Sequence, residues 1–382
     1  MRNEQYSGKE GAGFEPVVDQ HVTEFVDLIE RKYLSTPSEF RPIEFSHRSQ
    51  YFALDVISDV GFGEAIGFLA NDKDMYKYVE TNDTFFPVLA IILNMPWLSR
   101  VMRTWPLSKA MPKVGDEYGL GPLMGYDRLV RPRVMRGTVA DNRHDSFARK
   151  LVDQRFEPGA EPGNDMMQAH IRNGLTRKEL MAEVLLEMIA GSDSTATAIR
   201  MIMLCLMTTP AALWSLQREI DSAVTAGRIS SPVTDAEAYQ LPYLQAVIKE
   251  GLRMFPPSTG HNYKEVPEGG SEIHGYHLPG GTQMGINIQQ MMRDKGKFGP
   301  DADVFRPDRW IEAAKDEAMY KEMAATIDLA FGHGKFQCLG KVIAAMELNK
   351  IFVEVGPFDA ILSLACACHC FDSNSLSASQ AI

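Results

Sequence analysis

Phe331-Gly332-His333-Gly334-Lys335-Phe336-Gln337-Cys338-Leu339-Gly340 decides how this chain reads. The stretch carries one cysteine out of a glycine-rich loop to the start of a helical run, Lys341–Glu354. Glycine lets the backbone take φ > 0 and lets another group approach closely. A helix N-terminus presents free N–H groups and the positive end of the helix dipole. Both features favour a thiolate over a thiol, and the thiolate is the form that ligates metal. An isolated cysteine is by default a buried structural residue. Here it has no second cysteine or histidine at tetrahedral spacing beside it, and a lone thiolate suits a haem iron better than zinc.

The 382 residues, 45% hydrophobic and 23% charged, are those of a soluble globular chain with ample material for a core. A net charge of −11 argues against a nucleic-acid surface. Cys205, Cys338, Cys366, Cys368 and Cys370 form no disulfide framework, which fits a reducing compartment. The polar start, Met1 to Gln5, carries no signal peptide or membrane anchor. The longest apolar run, 85–98, is too short to span a bilayer and is broken by Pro87 and Pro96.

Upstream of the cysteine, residues 15–34 read as an amphipathic helix with Pro16 near its start and a stripe of Val18, Val22, Phe25, Val26 and Ile29. Residues 52–63 read as a second helix. Residues 64–130 read as helical with proline breaks, and Arg128, Arg131, Arg133 and Arg136 as a solvated face. The loop 157–163 follows. Thr176 to Glu179 is a capping box that opens a helix running to Thr208, where Pro210 ends it. Such a helix is roughly 50 Å long and must cross the whole molecule. Leu180, Val184, Leu185, Met188 and Ile189 keep its period until Ala190-Gly191-Ser192-Asp193-Ser194-Thr195 breaks it. Small residues, an acid and hydroxyls are poor choices for a buried helix interior, and the hydroxyls can bond back to carbonyls and bend the helix. Two readings stand: a tight helix crossing with a solvated Asp193, or a local opening that admits a flat cofactor and a small ligand.

Helices at 211–226 and 243–254 come next, the second carrying Glu250 and Arg253 on one face. Residues 262–288 read as a small sheet, with turns at Gly269-Gly270 and Gly280-Gly281. Phe305-Arg306-Pro307-Asp308-Arg309-Trp310 follows.

Phe331-x-x-Gly334-x-x-x-Cys338-x-Gly340 resembles the haem-binding loop of the cytochrome P-450 superfamily, the haem-thiolate monooxygenases. The hexapeptide 190–195 resembles that family's oxygen-binding segment, with Ser194 at the usual first threonine. Glu250, Arg253 and Arg309 match its buried structural triad. The likeness covers roughly 5–355 and looks fungal, near the pisatin demethylase group. It implies a mainly α cytochrome P-450 fold with a small β-rich part, lacking the N-terminal helices and sheet. It divides the chain into an incomplete catalytic domain, 1–355, and a divergent, disordered tail, 356–382.

The same resemblance implies haem b, with Cys338 as axial ligand to iron and Ala190, Gly191, Phe331, Gly332, Gly334 and Gly340 around the cofactor. Backbone N–H groups of the loop after Phe331 tune the sulfur, and Gly191 leaves room for dioxygen. Asp193, Ser194 and Thr195 relay protons. The partners implied are dioxygen, a small apolar organic substrate and an NADPH-dependent reductase, with Lys335 and Lys341 adding charge where the reductase docks. A full-length relative would work on the cytoplasmic face of the endoplasmic reticulum.

Three departures qualify this. The start of the family domain is missing, so the chain reads as truncated at its N-terminus. Phe336 stands where many members place an arginine or histidine, with Lys335 as partial substitute. After Val355 the family pattern gives way to a cysteine cluster and a Ser-rich tail, as expected of a misread gene product. Two competing readings are an oxygen-independent haem-thiolate isomerase, against which Asp193 and Ser194 speak, and an inactive or non-catalytic haem-binding remnant.

Overall fold

A computed structural model of the chain describes residues 13–36, 38–95, 147–260, 263–334 and 337–355. The arginine cluster at 128–136, Lys335, Phe336 and the tail 356–382 lie outside them. The described part is mainly helical, and its long axis is the helix that the capping box opens.

α1 spans Glu15–Leu28 and buries Val18, Val22, Phe25 and Leu28 at helical spacing. The expected single helix to 34 instead changes its winding, and Ile29–Tyr33 forms a π-helical turn. α2 (Phe45–Phe62) begins seven residues before the expected start, because its first turns are polar and hide the period. Glu44 caps it by accepting the His47 N–H at 2.7 Å, and Gly63 ends it at φ 78°. His21 ties the two helices together, with Asp59 at 3.0 Å and Glu24 at 2.8 Å from its ring nitrogens.

α3 (Tyr78–Asn94), α4 (Phe147–Arg155) and α5 (Met166–Arg172) lead to α6, Arg177–Thr208. The capping box is present on both sides, Thr176 to Glu179 and back. α6 runs unbroken through 190–195. The backbone ladder continues through it although Ser192 and Ser194 bond back to the carbonyls of Met188 and Ala190, both at 2.7 Å.

Two glycines seat the helices that cross α6. A Cβ on Gly191 would come within 2.6 Å of the Ile57 side chain, so its absence lets α2 lie against α6. A Cβ on Gly251 would come within 2.2 Å of Ile202, which seats α8 (Pro242–Met254) against the same helix. α7 (Pro210–Thr225) turns away from α6 where Pro210 removes the helical donor.

The β-rich part is two separate antiparallel pairs rather than one sheet. β1 (Lys264–Glu265) pairs with β4 (Gln283–Met284), and β2 (Ser271–Ile273) with β3 (Tyr276–Leu278). Beyond them come α9 (Asp308–Ala313), α10 (Glu317–Asp328) and α11 (Lys341–Glu354).

The expected triad is present and fully buried. Glu250 accepts from Arg253 at 2.8 and 3.0 Å and from Arg309 at 3.0 Å. The Trp310 indole and the Arg306 N–H also reach it, both at 2.9 Å. Arg253 spends its remaining donors on the carbonyls of Met292, Ala302 and Val304. This web ties α8 to α9 and to the carbonyls of residues 292–304 between them, and it gives each buried charge its partners, as buried charges require.

Candidate functional site

The cysteine loop closes on itself through backbone bonds. Cys338 N–H donates to Phe331 O at 2.6 Å, and Gln337 N–H to Gly334 O at 3.1 Å. Gly332 at φ 75° and Gly334 at φ 61° hold conformations that favour glycine. The loop delivers Cys338 to the N-terminus of α11, opposite the middle of α6.

Between them lies a slot in two lobes. One encloses about 440 Å³ and is walled by Val56, Ile57, Ala190, Gly191, Gly340, Ile343 and Glu347. The other encloses about 380 Å³ and is walled by Ala198, Leu252, Phe331, Gly332, His333 and Leu348. Ser194, Thr195, Cys338 and Ala344 belong to both. The fold thus gathers most of the expected site residues around one space. Gly334 and Asp193 are on neither wall; Gly334 shapes the loop.

Asp193 faces the other way. Its Oδ1 accepts from Gln50 of α2 at 2.6 Å and its Oδ2 from Asn82 of α3 at 3.1 Å. Burial pushes its carboxyl up to about 6, against the pull of Arg200, Ser192 and Asn82. Its neighbours on the wall are hydroxyls: Ser194 bonds the Ala190 carbonyl, and Thr195 Oγ1 reaches Glu347 Oε2 at 3.2 Å.

Glu347 escaped the sequence reading. It is 3% exposed, and burial pushes its carboxyl up to about 8. The available signal was its position: Ile343, Glu347 and Ile351 share one buried stripe of α11, where an acid needs a reason.

Burial also pushes the Cys338 thiol up, and outweighs the Gly340 and Lys341 N–H groups and the Lys341 charge that favour the thiolate. Cys338 is nevertheless an exposed residue of the slot, so the shift opposes the favoured thiolate of the sequence reading in direction only, and a bound metal cation would favour the ionised sulfur. Among the described residues the N–H groups that favour the ionised sulfur are those of Gly340, at the end of the loop after Phe331, and of Lys341, the first residue of α11. Lys341 itself pairs with Asp328 at 2.9 Å and lies 5.3 Å from the centre of the Phe331 ring, so its charge is already engaged.

The donor set fits an iron porphyrin. One sulfur with two helix N–H groups stands on one wall, small residues and hydroxyls stand opposite, and aliphatic side chains fill the rest. Among the described residues no cluster of three or more His, Cys, Asp or Glu competes as a metal site, and no single helix is long and apolar enough to cross a membrane.

A family model described as cytochrome P450 matches residues 2–355. The chain is similar to cytochrome P450 monooxygenase ABA1 of Pyricularia oryzae, 39% identical over 355 residues, covering 92% of this chain and 65% of that one. It is similar to abl1 of Leptosphaeria maculans, a cytochrome P450 monooxygenase, at 36% identity over 352 residues, 91% and 58% of the two chains. Aba1 of Botryotinia fuckeliana, also named a cytochrome P450 monooxygenase, is 36% identical over 353 residues, 92% and 65%. The chain therefore spans 65% or less of the length of these three relatives. Their names do not carry the narrower likeness to pisatin demethylases.

Proposed function

The chain belongs to the cytochrome P450 family, and on that premise we propose that it holds haem b in the slot and inserts one atom of dioxygen into a small apolar organic substrate. The observation that carries this is the solitary Cys338 at the start of α11, facing Ser194 and Thr195 across an apolar space. Cys338 is the ligand to iron, oriented by the Gly340 and Lys341 N–H groups. Bound haem supplies the oxygen-activating redox chemistry, and a thiolate ligand pushes electron density that favours O–O cleavage. The three relatives named as monooxygenases support the same reaction class.

The chain's own residues do the rest. Val56, Ile57 and Ile343 exclude water from one lobe, and Leu252, Phe331 and Leu348 from the other. Ala190 leaves space along α6 for the cofactor and for dioxygen; the room expected at Gly191 is taken by the Ile57 side chain of α2. Ser194 and Thr195 place hydroxyls where a proton is needed, a general-acid task. Asp193, at about 6, sits one residue behind them and exchanges its proton near neutral pH. Electrons come from an NADPH-dependent reductase approaching the Cys338 side. The whole protein works on the cytoplasmic face of the endoplasmic reticulum.

The test is the spectrum of the dithionite-reduced, haem-supplied chain under carbon monoxide. A strongly red-shifted Soret band is expected for the parent, and a blue-shifted band for Cys338→His. A parent chain that takes up no haem, or gives only the blue-shifted band, sinks the proposal.

A further inference from the structure

The connection from α7 to α8 has two faces. Inward, it grips the far end of α11, the helix that starts beside Cys338. Val233 is fully buried; its N–H donates to Glu354 Oε1 at 2.6 Å, and its carbonyl accepts from the buried Lys350 ammonium. Asp235 Oδ1 accepts from Asn349 Nδ2 at 2.7 Å. The Asp235 N–H donates to Glu15 Oε1 at 2.6 Å, and that oxygen lies 2.7 Å from Lys350 Nζ. Asn349, Lys350 and Glu354 of α11 and the first residue of α1 are thus held by two residues of this connection.

Outward, the connection is closed by one exposed carboxylate. Glu237 Oε2 accepts from the Ser230 hydroxyl at 2.7 Å and from the N–H groups of Ser230 and Thr234 at 3.1 and 3.0 Å. The Thr234 N–H and the other donors hold Glu237 down to about 2, so it carries its charge at neutral pH. The short helix Asp235–Tyr239 starts from the same bonds. Ser230 faces solvent, and so does Arg228, two residues before it. Val233 and Asp235, which grip α11, lie inside the loop that Ser230 and Glu237 close.

We propose that Ser230 is a phosphorylation site, and that phosphate there opens the Ser230–Glu237 closure and loosens the grip on α11. The partner is a protein kinase whose acidic subsite takes the exposed Arg228. The Ser230 Oγ–P bond forms as the bond from the γ-phosphorus of a nucleoside triphosphate to its bridging oxygen breaks. The hydroxyl proton goes to a base of the kinase, and the nucleoside diphosphate leaves. No electron is transferred. The product carries a charge of roughly −1.5 to −2 in place of a hydroxyl donor. Glu237 then loses one bond and meets a like charge at the same place, and a phosphate set beside an acid disrupts in this way. The proposal goes beyond the haem-thiolate reading and stands whether or not haem is bound.

The test is incubation of the full chain with ATP and a kinase selective for serines that follow arginine, read by peptide mass mapping and hydrogen exchange. One phosphate is expected on Ser230, retained in Ser231→Ala and absent from Ser230→Ala. Backbone exchange at 233–239 and 347–354 should then quicken on the order of tenfold, the loss of about one net hydrogen bond. In Glu237→Gln the phosphate should add much less, because the repelling charge is gone. No phosphate on Ser230 overturns the proposal. So does a phosphorylated chain whose exchange is unchanged or slower, since the phosphate would then fasten the loop through Arg228. An equal quickening in Glu237→Gln overturns the charge mechanism and the proposal with it. The carbon monoxide band of the haem-supplied chain decides the haem-thiolate reading separately.

Discussion

Glu250 and Glu347, two of the glutamates buried among the described residues, are kept in opposite ways. Glu250 accepts hydrogen bonds from two arginines, an indole and a backbone N–H. Glu347 has one hydroxyl. The first is surrounded by enough positive charge and donors to sit in the interior as a carboxylate; the second avoids the cost by staying protonated. Glu250 binds α8 to α9 and to the Arg306 backbone. Glu347 lies on the slot wall with the Thr195 hydroxyl bonded to it. The number of partners therefore separates a buried acid that keeps its charge from one that keeps its proton, although both look alike as single charged letters on apolar helices.

The largest expected effect tests the structural side. Glu250→Ala leaves Arg253 and Arg309 buried without their carboxylate, and should destabilise the fold by roughly 3–5 kcal/mol, read as a lowered denaturation midpoint. A loss below about 1 kcal/mol would mean the arginines find other partners, and the contrast drawn above would collapse. On the other side, Glu347 has its pKa raised from 4.5 to about 8. A carboxyl raised on folding gives stability that is full below 4.5 and lost as pH rises toward 8. Glu347→Gln should therefore flatten the pH dependence of unfolding in that window and stabilise the fold at its upper end by roughly 1–3 kcal/mol. An unchanged slope would place Glu347 with Glu250.

How much of this was legible in the sequence follows from range. Cys338 and its glycines, the capping box at Thr176 and the stop at Pro210 are local signals, and each element they imply is present. Glu250, Arg253 and Arg309 were legible through the family pattern, but Trp310 and the Arg306 N–H as further donors were not. The direction of Asp193 depends on Gln50 and Asn82, which are 143 and 111 residues away, and no periodicity carries that. The same holds for Gly191 and Gly251. In sequence a glycine inside a helix reads as weakness or open room; in the fold each is filled from outside by an isoleucine of the crossing helix. The polar first turns of α2 hid its start, since Ser49 and Gln50 are buried for their bonds rather than their hydrophobicity.

That filling gives the next test. Gly251→Ala puts a Cβ within 2.2 Å of Ile202 on the central helix, and overpacking of this kind costs about 1–3 kcal/mol. The clash is with one side chain, so Gly251→Ala combined with Ile202→Val should recover part of that loss, measured as a coupling energy in a double-mutant cycle. Additive losses would mean that the backbone, and with it the triad residues on α8, has moved instead.

The smallest effect concerns a charge pair far from the slot. His21 is fully buried between Glu24 and Asp59. Burial alone would lower its pKa, but the bonds to Asp59 and Glu24 and the charges of Glu24 and Asp55 raise it above 6.5. A histidine raised on folding contributes stability that is fully present below 6.5 and lost as pH rises through the folded value. His21→Gln keeps a polar side chain but cannot take the proton, so it should cost about 1 kcal/mol below 6.5 and progressively less above it. Unfolding midpoints of both chains across that range decide the matter. His21 and Glu347 then bracket the comparison from opposite chemistry: each binds more protons folded than unfolded, one because acids surround it and the other because almost nothing does.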